Sequence, residues 1–145
     1  MKISHLDHLV LTVADIPTTT NFYEKVLGMK AVSFGAGRIA LEFGHQKINL
    51  HQLGNEFEPK AQNVRVGSAD LCFITDTVLS DAMKHVENQG VTIMEGPVKR
   101  TGAQGAITSF YFRDPDGNLI EVSTYSKHIT NASRGTVNAR RFQSQ

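Results

Sequence analysis

The chain has 145 residues, with 15 Lys and Arg against 14 Asp and Glu, and a formal net charge of +1. This length predicts one domain with a sizeable core, and the balanced charge argues against a nucleic-acid-binding surface. The apolar runs are too short to span a membrane. Because no signal-peptide pattern opens the chain and Cys72 is its single cysteine, we expect a cytoplasmic protein without disulfides.

The first part of the chain is typical of a β-α-β-β-β unit. Residues 6–13 alternate as a strand does, and Asp15 and Pro17 predict the start of a helix that Gly28 ends. Three short strands separated by glycine-containing turns are then predicted at 29–34, 38–43 and 47–52. We therefore predict a first module over residues 4–53.

The same order of elements repeats after a polar connection at residues 54–68. A strand at 70–75 precedes a helix that Gly90 ends. The remaining strands are predicted at 91–94, 108–113 and 119–124. The Asp-Pro-Asp-Gly sequence at 114–117 predicts the turn between the last two strands.

These elements define a second module over residues 69–125. Both modules belong to one predicted domain, residues 1–125. The remaining stretch, residues 126–145, is polar and has no periodicity, so we expect a loosely ordered tail or a segment docked on a partner subunit.

Four side chains of the metal-ligand type fall at matching positions of the two modules. His8 and Asp70 open the first strands, while His51 and Glu121 lie in the last strands. Strand alternation puts all four on the face opposite to the helices. Each alone is more often structural, but their joint placement favours a divalent metal site. Asn49 lies on the same face as His51 and could take its place.

Three stretches of the chain resemble the vicinal oxygen chelate superfamily, which includes glyoxalase I, extradiol ring-cleavage dioxygenases, and fosfomycin- and bleomycin-resistance proteins. They are DHLVLTVADIPTTTNFYEKVLGM, GPVKRTGA and FRDPDGNLIEVS. The resemblance covers residues 4–125 and implies an α+β fold of two tandem β-α-β-β-β modules. It implies that these form an open, curved barrel of mixed β-sheet with the helices outside. It also implies one divalent ion (Ni, Zn, Mn, Co or Fe), a small-molecule substrate and a homodimer, in which the two modules of a site could come from one chain or from two exchanging chains.

The resemblance also assigns roles by position. His8 matches the first-strand metal ligand, and Glu121 matches the last-strand ligand that doubles as the catalytic base in glyoxalase I. Bacterial glyoxalase I has a Glu where this chain has Asn49 or His51, and a His where it has Asp70. The set of two imidazoles and two carboxylates is nevertheless the same.

Three basic residues are candidates for substrate binding. Lys99 and Arg100 match a loop that binds an anionic substrate group in glyoxalase I, although the same residues could equally form a solvated loop. Arg38 is a further candidate for an anion-binding role.

The resulting prediction is a metal-dependent, glyoxalase-like lyase or isomerase. It would act on a small vicinal-oxygen substrate through a metal-stabilised enediolate, with Glu121 moving the proton. The alternatives are an extradiol-type dioxygenase or a transferase on the same scaffold, or a non-catalytic binding or resistance protein.

Overall fold

The computed structural model describes residues 1–125, 131–132 and 134–135 of the chain. In chain order the elements are β1 (His8–Val13), α1 (Ile16–Leu27), β2 (Lys30–Phe34), β3 (Arg38–Phe43), β4 (Gln46–Gln52), β5 (Asp70–Ile74), α2 (Leu79–Asn88), β6 (Glu95–Gly102), β7 (Gly105–Arg113), β8 (Leu119–Tyr125), β9 (Asn131–Ala132) and β10 (Arg134–Gly135). Neither helix in these residues is long and apolar enough to cross a membrane.

Eight of the strands form two four-stranded sheets. The first sheet has the order β1-β4-β3-β2 and the second the order β5-β8-β7-β6. In the first, β1 runs parallel to β4, whereas β3 is antiparallel to both of its neighbours. Each sheet arises from one β-α-β-β-β segment, so the predicted α+β fold of two tandem modules is confirmed.

The short strands β9 and β10 pair with each other in an antiparallel manner. They fall within residues 126–145, for which we predicted a polar tail. The other residues of that prediction lie outside the described residues.

By contact density the chain divides into two compact units. The first unit comprises Met1–Leu71 and Arg113–Leu119, so the turn between β7 and β8 belongs to it. The second unit comprises Cys72–Phe112 and the described residues from Ile120 onward. The polar connection at 54–68 is therefore part of the first unit.

Helix α1 forms where the sequence predicted it, because both of its ends carry suitable capping residues. The Asp15 side chain accepts a hydrogen bond from the Thr18 backbone N–H at the N-terminus. At the C-terminus Gly28 has φ +67°, a left-handed conformation that favours glycine. The buried side chains of Tyr23 and Val26 face the core of the first unit, together with apolar residues of β1, β3 and β4.

A buried carboxylate fixes the β7–β8 turn within the first unit. The Tyr23 hydroxyl donates to Asp114 Oδ2 at 2.6 Å, and Asn118 Nδ2 donates to the same oxygen at 2.8 Å. The backbone N–H groups of Asp116 and Asn118 donate to Oδ1 at 2.9 Å. Burial, followed by the charge of Asp114, raises the pKa of Tyr23 far above its usual value. These contacts give the Asp-Pro-Asp-Gly motif a structural role.

The predicted strand at 91–94 is wrong: strand β6 begins at Glu95 and continues to Gly102. The sequence Gly96-Pro97 interrupts the strand pattern, which is why the sequence predicts a loop from 97 onward. In the structure the proline falls at a shift of register between Glu95 and Val98, where a missing backbone donor is tolerated. Lys99 and Arg100 therefore lie in a strand.

Candidate metal and substrate site

His8, the first residue of β1, has one ring nitrogen held by a neighbouring carboxylate. Its Nδ1 lies 2.8 Å from Asp7 Oδ2, and its side chain is 43% exposed. This hydrogen bond lowers the pKa of the Asp7 carboxyl. A carboxylate on one imidazole nitrogen fixes the ring orientation and presents the other nitrogen, Nε2, to a metal. His8 thus has the surroundings of a metal-ligating histidine.

The register of β1 against β4 decides which residue of β4 lies near His8. His8 is level with Lys47, Val10 with Asn49, and Thr12 with His51. His8 and His51 therefore share a face, but they are four residues apart along the strands, or about 13 Å at the usual rise per residue. Asn49 lies on the same face at half that separation.

Asn49 carries an unpaired buried oxygen. The residue is 6% exposed, and its Oδ1 has no hydrogen-bond partner in the described part of the chain. Buried polar atoms normally have a partner, so an unpaired one points to a missing water or ion. A carbonyl oxygen is an acceptable ligand for a divalent cation, and Asn49 fits such a role.

His51 has different surroundings. It is 3% exposed, and its Nε2 lies 3.5 Å from Arg38 Nη2. Because a guanidinium can only donate, Nε2 is the acceptor in this contact. Burial first, and then the charge of Arg38, lowers the pKa of His51. A nitrogen that already faces a cation is a poor metal ligand, so these contacts favour Asn49 over His51.

Arg38 is held in place by aromatic rings. Its guanidinium carbon lies 5.3 Å from the centre of the Phe34 ring and 4.6 Å from that of Phe57. The ring of Phe57 also meets His51 edge-on, with centroids 5.6 Å apart. A guanidinium oriented in this way loses little rotamer entropy when it binds a carboxylate.

Glu121, in β8, lies in the second unit, where two serines orient its carboxylate. Ser109 Oγ donates to Glu121 Oε2 at 2.6 Å, and Ser123 Oγ lies 3.4 Å from the same oxygen. The two hydroxyls are themselves 2.6 Å apart. Both serines are fully buried, whereas Glu121 is only partly so. Sequence reasoning missed Ser109, for which the only signal was a serine within the apolar run of β7.

The basic residues of β6 differ in how much of their hydrogen-bonding capacity is used. Arg100 donates through Nε to the Tyr111 hydroxyl at 3.0 Å and through Nη2 to Glu95 at 3.2 Å. It also donates through Nη1 to the Lys99 carbonyl oxygen. Lys99 is exposed. Arg100 is therefore mainly engaged within its own sheet.

Asp70, the remaining predicted ligand, is the exposed first residue of β5 and belongs to the first unit. Within neither unit do three or more His, Cys, Asp or Glu side chains of the described residues gather closely enough to hold a metal ion. The structure thus places the predicted ligands on their strands without bringing three of them together inside one unit.

An open cavity of about 520 Å³ lies within the first unit. Strands β1 and β4 contribute Thr12 and His51 to its lining, and the connection at 54–68 contributes Lys60 and Arg65. Sequence reasoning treated this connection only as a link between modules. Its one available signal was the pair of cations in an otherwise polar segment.

Comparisons with known proteins identify the family. The family model for the Glyoxalase/Bleomycin resistance protein/Dioxygenase superfamily matches residues 5–122. Virulence protein STM3117 of Salmonella typhimurium is 61% identical over 86% of this chain and 87% of its own length. The glyoxalase domain-containing protein RDO1 of Mycosarcoma maydis is 57% identical over 86% of this chain and 70% of its own. The solved structure of the integron cassette protein VCH_CASS1, from the mobile metagenome of V. cholerae, is 99% identical, with a TM-score of 0.86 over 87% of this chain and 98% of that one.

Relatives of lower sequence identity are named for different reactions. They include a metallothiol transferase FosB, a biphenyl-2,3-diol 1,2-dioxygenase and a glyoxylase I, at 28%, 30% and 25% identity. The family is thereby established, and it contains enzymes of several reaction classes.

Proposed function

Because this chain belongs to the glyoxalase, bleomycin resistance protein and dioxygenase superfamily, as its sequence motifs predict, we propose that it is a metal-dependent lyase or isomerase of the glyoxalase type. Its substrate would be a small molecule with two adjacent oxygens. Members of the superfamily typically use a divalent metal ion. The observation that carries the proposal is the partly exposed Glu121 carboxylate, which the Ser109 hydroxyl orients at 2.6 Å.

His8, Asp70 and Glu121 are the proposed metal ligands, together with one residue of β4. The sequence-based choice for the β4 ligand is His51, but the contacts of the two side chains favour Asn49, whose buried Oδ1 has no partner in the described residues. A divalent ion held by these donors would bind the two adjacent substrate oxygens and withdraw charge from them. The proposal for these four positions rests on family membership and on the place of each residue in its own strand.

Glu121 is the proposed general base. Both serine contacts are made to the same carboxylate oxygen, Oε2, so the group is oriented without the serines engaging Oε1. A positioned carboxylate of this kind can take a proton from one substrate carbon and return it to the next. Arg38 is the preferred candidate among the predicted substrate-binding residues, because Arg100 is engaged by Glu95 and Tyr111. Lys99, which is exposed, is the second candidate for binding the substrate.

A transferase is the second candidate function. It is favoured by the relative named metallothiol transferase FosB, 28% identical over 86% of this chain. Such an enzyme would use the same ligands but would add a thiol to the substrate instead of moving a proton.

A substrate screen tests the proposal. The protein would be loaded separately with Ni, Zn, Mn, Co and Fe, and then tested with methylglyoxal–thiol adducts, catechols, and 2-hydroxy and 2-oxo acids. We expect isomerisation of at least one vicinal-oxygen compound, and a loss of about 10²- to 10⁴-fold in Glu121→Gln. The matched control is Glu87→Gln, at an exposed position of α2, which should keep full activity.

The other outcomes separate the alternatives. Oxygen uptake with catechols would indicate ring cleavage instead of isomerisation, and covalent attachment of an added thiol to one of these compounds would favour the transferase. If the protein turns over none of these compounds, whichever metal it is loaded with, the enzymatic proposal is refuted in favour of a binding protein.

We also propose that the protein is a cytoplasmic homodimer. This proposal is supported by the family resemblance and by the single cysteine, Cys72, which suits a reducing compartment. Size-exclusion chromatography with light scattering should give twice the mass of one chain, and a clean monomer at micromolar concentration would contradict the dimer.

A further inference from the structure

The cavity of the first unit has the size and lining of a small-molecule site. Its volume of about 520 Å³ falls within the range of about 300–1,000 Å³ that is usual for such sites. Most of its lining comes from β1, β4 and the connection at 54–68, and Ala69 and Asn118 complete it. A segment that joins two modules therefore also forms part of a concave surface.

Charge in and beside this cavity favours a negatively charged ligand. Lys60 and Arg65 line it, and none of its lining residues in the described part of the chain is Asp or Glu. Lys60 is paired with Glu56 at 3.1 Å and with Glu58 at 3.5 Å, whereas no acidic partner of Arg65 occurs among the residues that the structure describes.

The balance of charge favours one acid group in the ligand. Lys60 is offset by its two glutamate partners, so Arg65 is the lining cation that is left for a ligand. A monoanion matches this balance better than a phosphate dianion, which the two glutamates would repel.

His51 adds a neutral hydrogen-bond donor to the cavity. Its Nε2 accepts from Arg38, so in the neutral ring the proton is on Nδ1. Thr12, which is level with His51 on β1 and also lines the cavity, adds a hydroxyl. Donors of this type recognise a carboxylate oxygen without adding charge.

The remaining lining is mixed: Asn63, Ser68 and Asn118 are polar, and the other residues are apolar. Val10, which is 45% exposed, lines the cavity together with Pro59 and Val64. These side chains can cover the hydrocarbon part of a ligand, which is the usual division between apolar contact and a few polar groups in binding sites.

We propose that this cavity binds a small organic acid with a single carboxylate and an apolar body, and that Arg65 of the connection recognises the carboxylate. The inference goes beyond the proposed function, because binding here requires neither a metal nor turnover. It makes the connection at 54–68 the segment that selects the ligand.

Calorimetric titration of the metal-free full chain tests this site. The probes are benzoate, phenylacetate and hexanoate, each compared with its neutral amide at low ionic strength. We expect saturable binding of at least one acid, binding of its amide about tenfold weaker or more, and a fall in acid affinity with added salt. Arg65→Gln should weaken the acid about tenfold and leave the amide unchanged.

Arg65 is exposed, so its substitution should not disturb folding, which circular dichroism would check. The matched control is Lys84→Gln on α2, also exposed, which should not alter acid binding. The site is refuted if no acid binds at millimolar concentration, if acid and amide bind equally, or if Arg65→Gln and Lys84→Gln have the same effect. A failure here leaves the metal-dependent function standing, since that function is tested by activity of the metal-loaded protein.

Discussion

Two carboxylates of the stretch FRDPDGNLIEVS have opposite surroundings. Asp114, in the first unit, is 6% exposed and accepts from Tyr23, from the Asn118 side chain and from two backbone N–H groups. Glu121, in the second unit, is partly exposed; serine hydroxyls contact one of its oxygens, and the Tyr111 side chain also interacts with the carboxylate. A carboxylate surrounded by donors stabilises the fold, whereas one that is oriented but not saturated can exchange a proton or bind a cation.

The largest effect on stability is expected at Asp114. In Asp114→Ala the buried Tyr23 hydroxyl, the buried Asn118 side chain and backbone N–H, and the part-buried Asp116 N–H lose their acceptor. We expect the free energy of unfolding to fall by about 3 kcal/mol, as measured by urea denaturation. The exposed Asp76, changed to Ala, should alter it by less than about 0.5 kcal/mol. Equal effects of the two variants would show that the Asp114 contacts are not stabilising.

Tyr23→Phe should give the next largest effect. It removes one hydroxyl donor, the 2.6 Å contact to Asp114 Oδ2, and keeps the ring in the core. A hydrogen bond to a buried charge predicts a loss of about 2 kcal/mol in the free energy of unfolding. In Asp114→Ala the same change should have a much smaller effect, because its partner is gone, and additive losses would contradict this coupling.

Glu121→Gln should leave stability nearly unchanged. The amide keeps an oxygen that can accept from Ser109, so we expect a change of less than about 1 kcal/mol in the free energy of unfolding. A loss as large as that of Asp114→Ala would assign Glu121 a structural role and would remove the contrast between the two carboxylates.

Prediction of the fold from sequence worked where the signals are local. The Asp15 and Gly28 caps define α1, and strand alternation placed His8 and His51 on one face, as the pairing of β1 with β4 confirms. Alternation specifies a face but not a level along the strand. The choice between Asn49 and His51 therefore needed the register between strands that are distant in sequence.

Other features depended on contacts between distant residues. Strand β6 was misplaced because its pairing with β7, across the Gly96-Pro97 interruption, is not encoded locally. The Tyr23–Asp114 hydrogen bond joins residues 91 positions apart, and the cavity depends on how the connection at 54–68 packs against β1 and β4. No periodicity in the sequence predicts any of these contacts.

The smallest expected effect concerns Asp116, which lies in the same turn as Asp114. Its carboxylate accepts from the Ala14 N–H at 3.3 Å, but burial, with a smaller contribution from the charge of Asp114, raises its pKa above 3.8. A raised carboxyl pKa means that the folded state binds the proton more tightly. Stability therefore falls as the pH rises from the unfolded-state pKa through the folded-state pKa.

Asp116→Asn removes this penalty and keeps an acceptor for Ala14. The variant should be slightly more stable than the parent at neutral pH, and the difference should disappear below pH 3.8, the ordinary carboxyl pKa. Urea denaturation at both pH values measures it. If the stability difference between variant and parent is the same at neutral pH and below pH 3.8, the charge of the Asp116 carboxylate does not cause it.

Metal binding to the purified full chain tests the central claim most directly. Equilibrium titration with each candidate divalent metal, with the bound metal quantified by mass spectrometry, would be compared among the parent, His8→Gln and the control His85→Gln. We predict one equivalent of metal in the parent and in the control, and an affinity at least about tenfold lower in His8→Gln. A parent chain that binds no divalent metal, or a His8→Gln variant that binds it as tightly as the parent, would contradict the account.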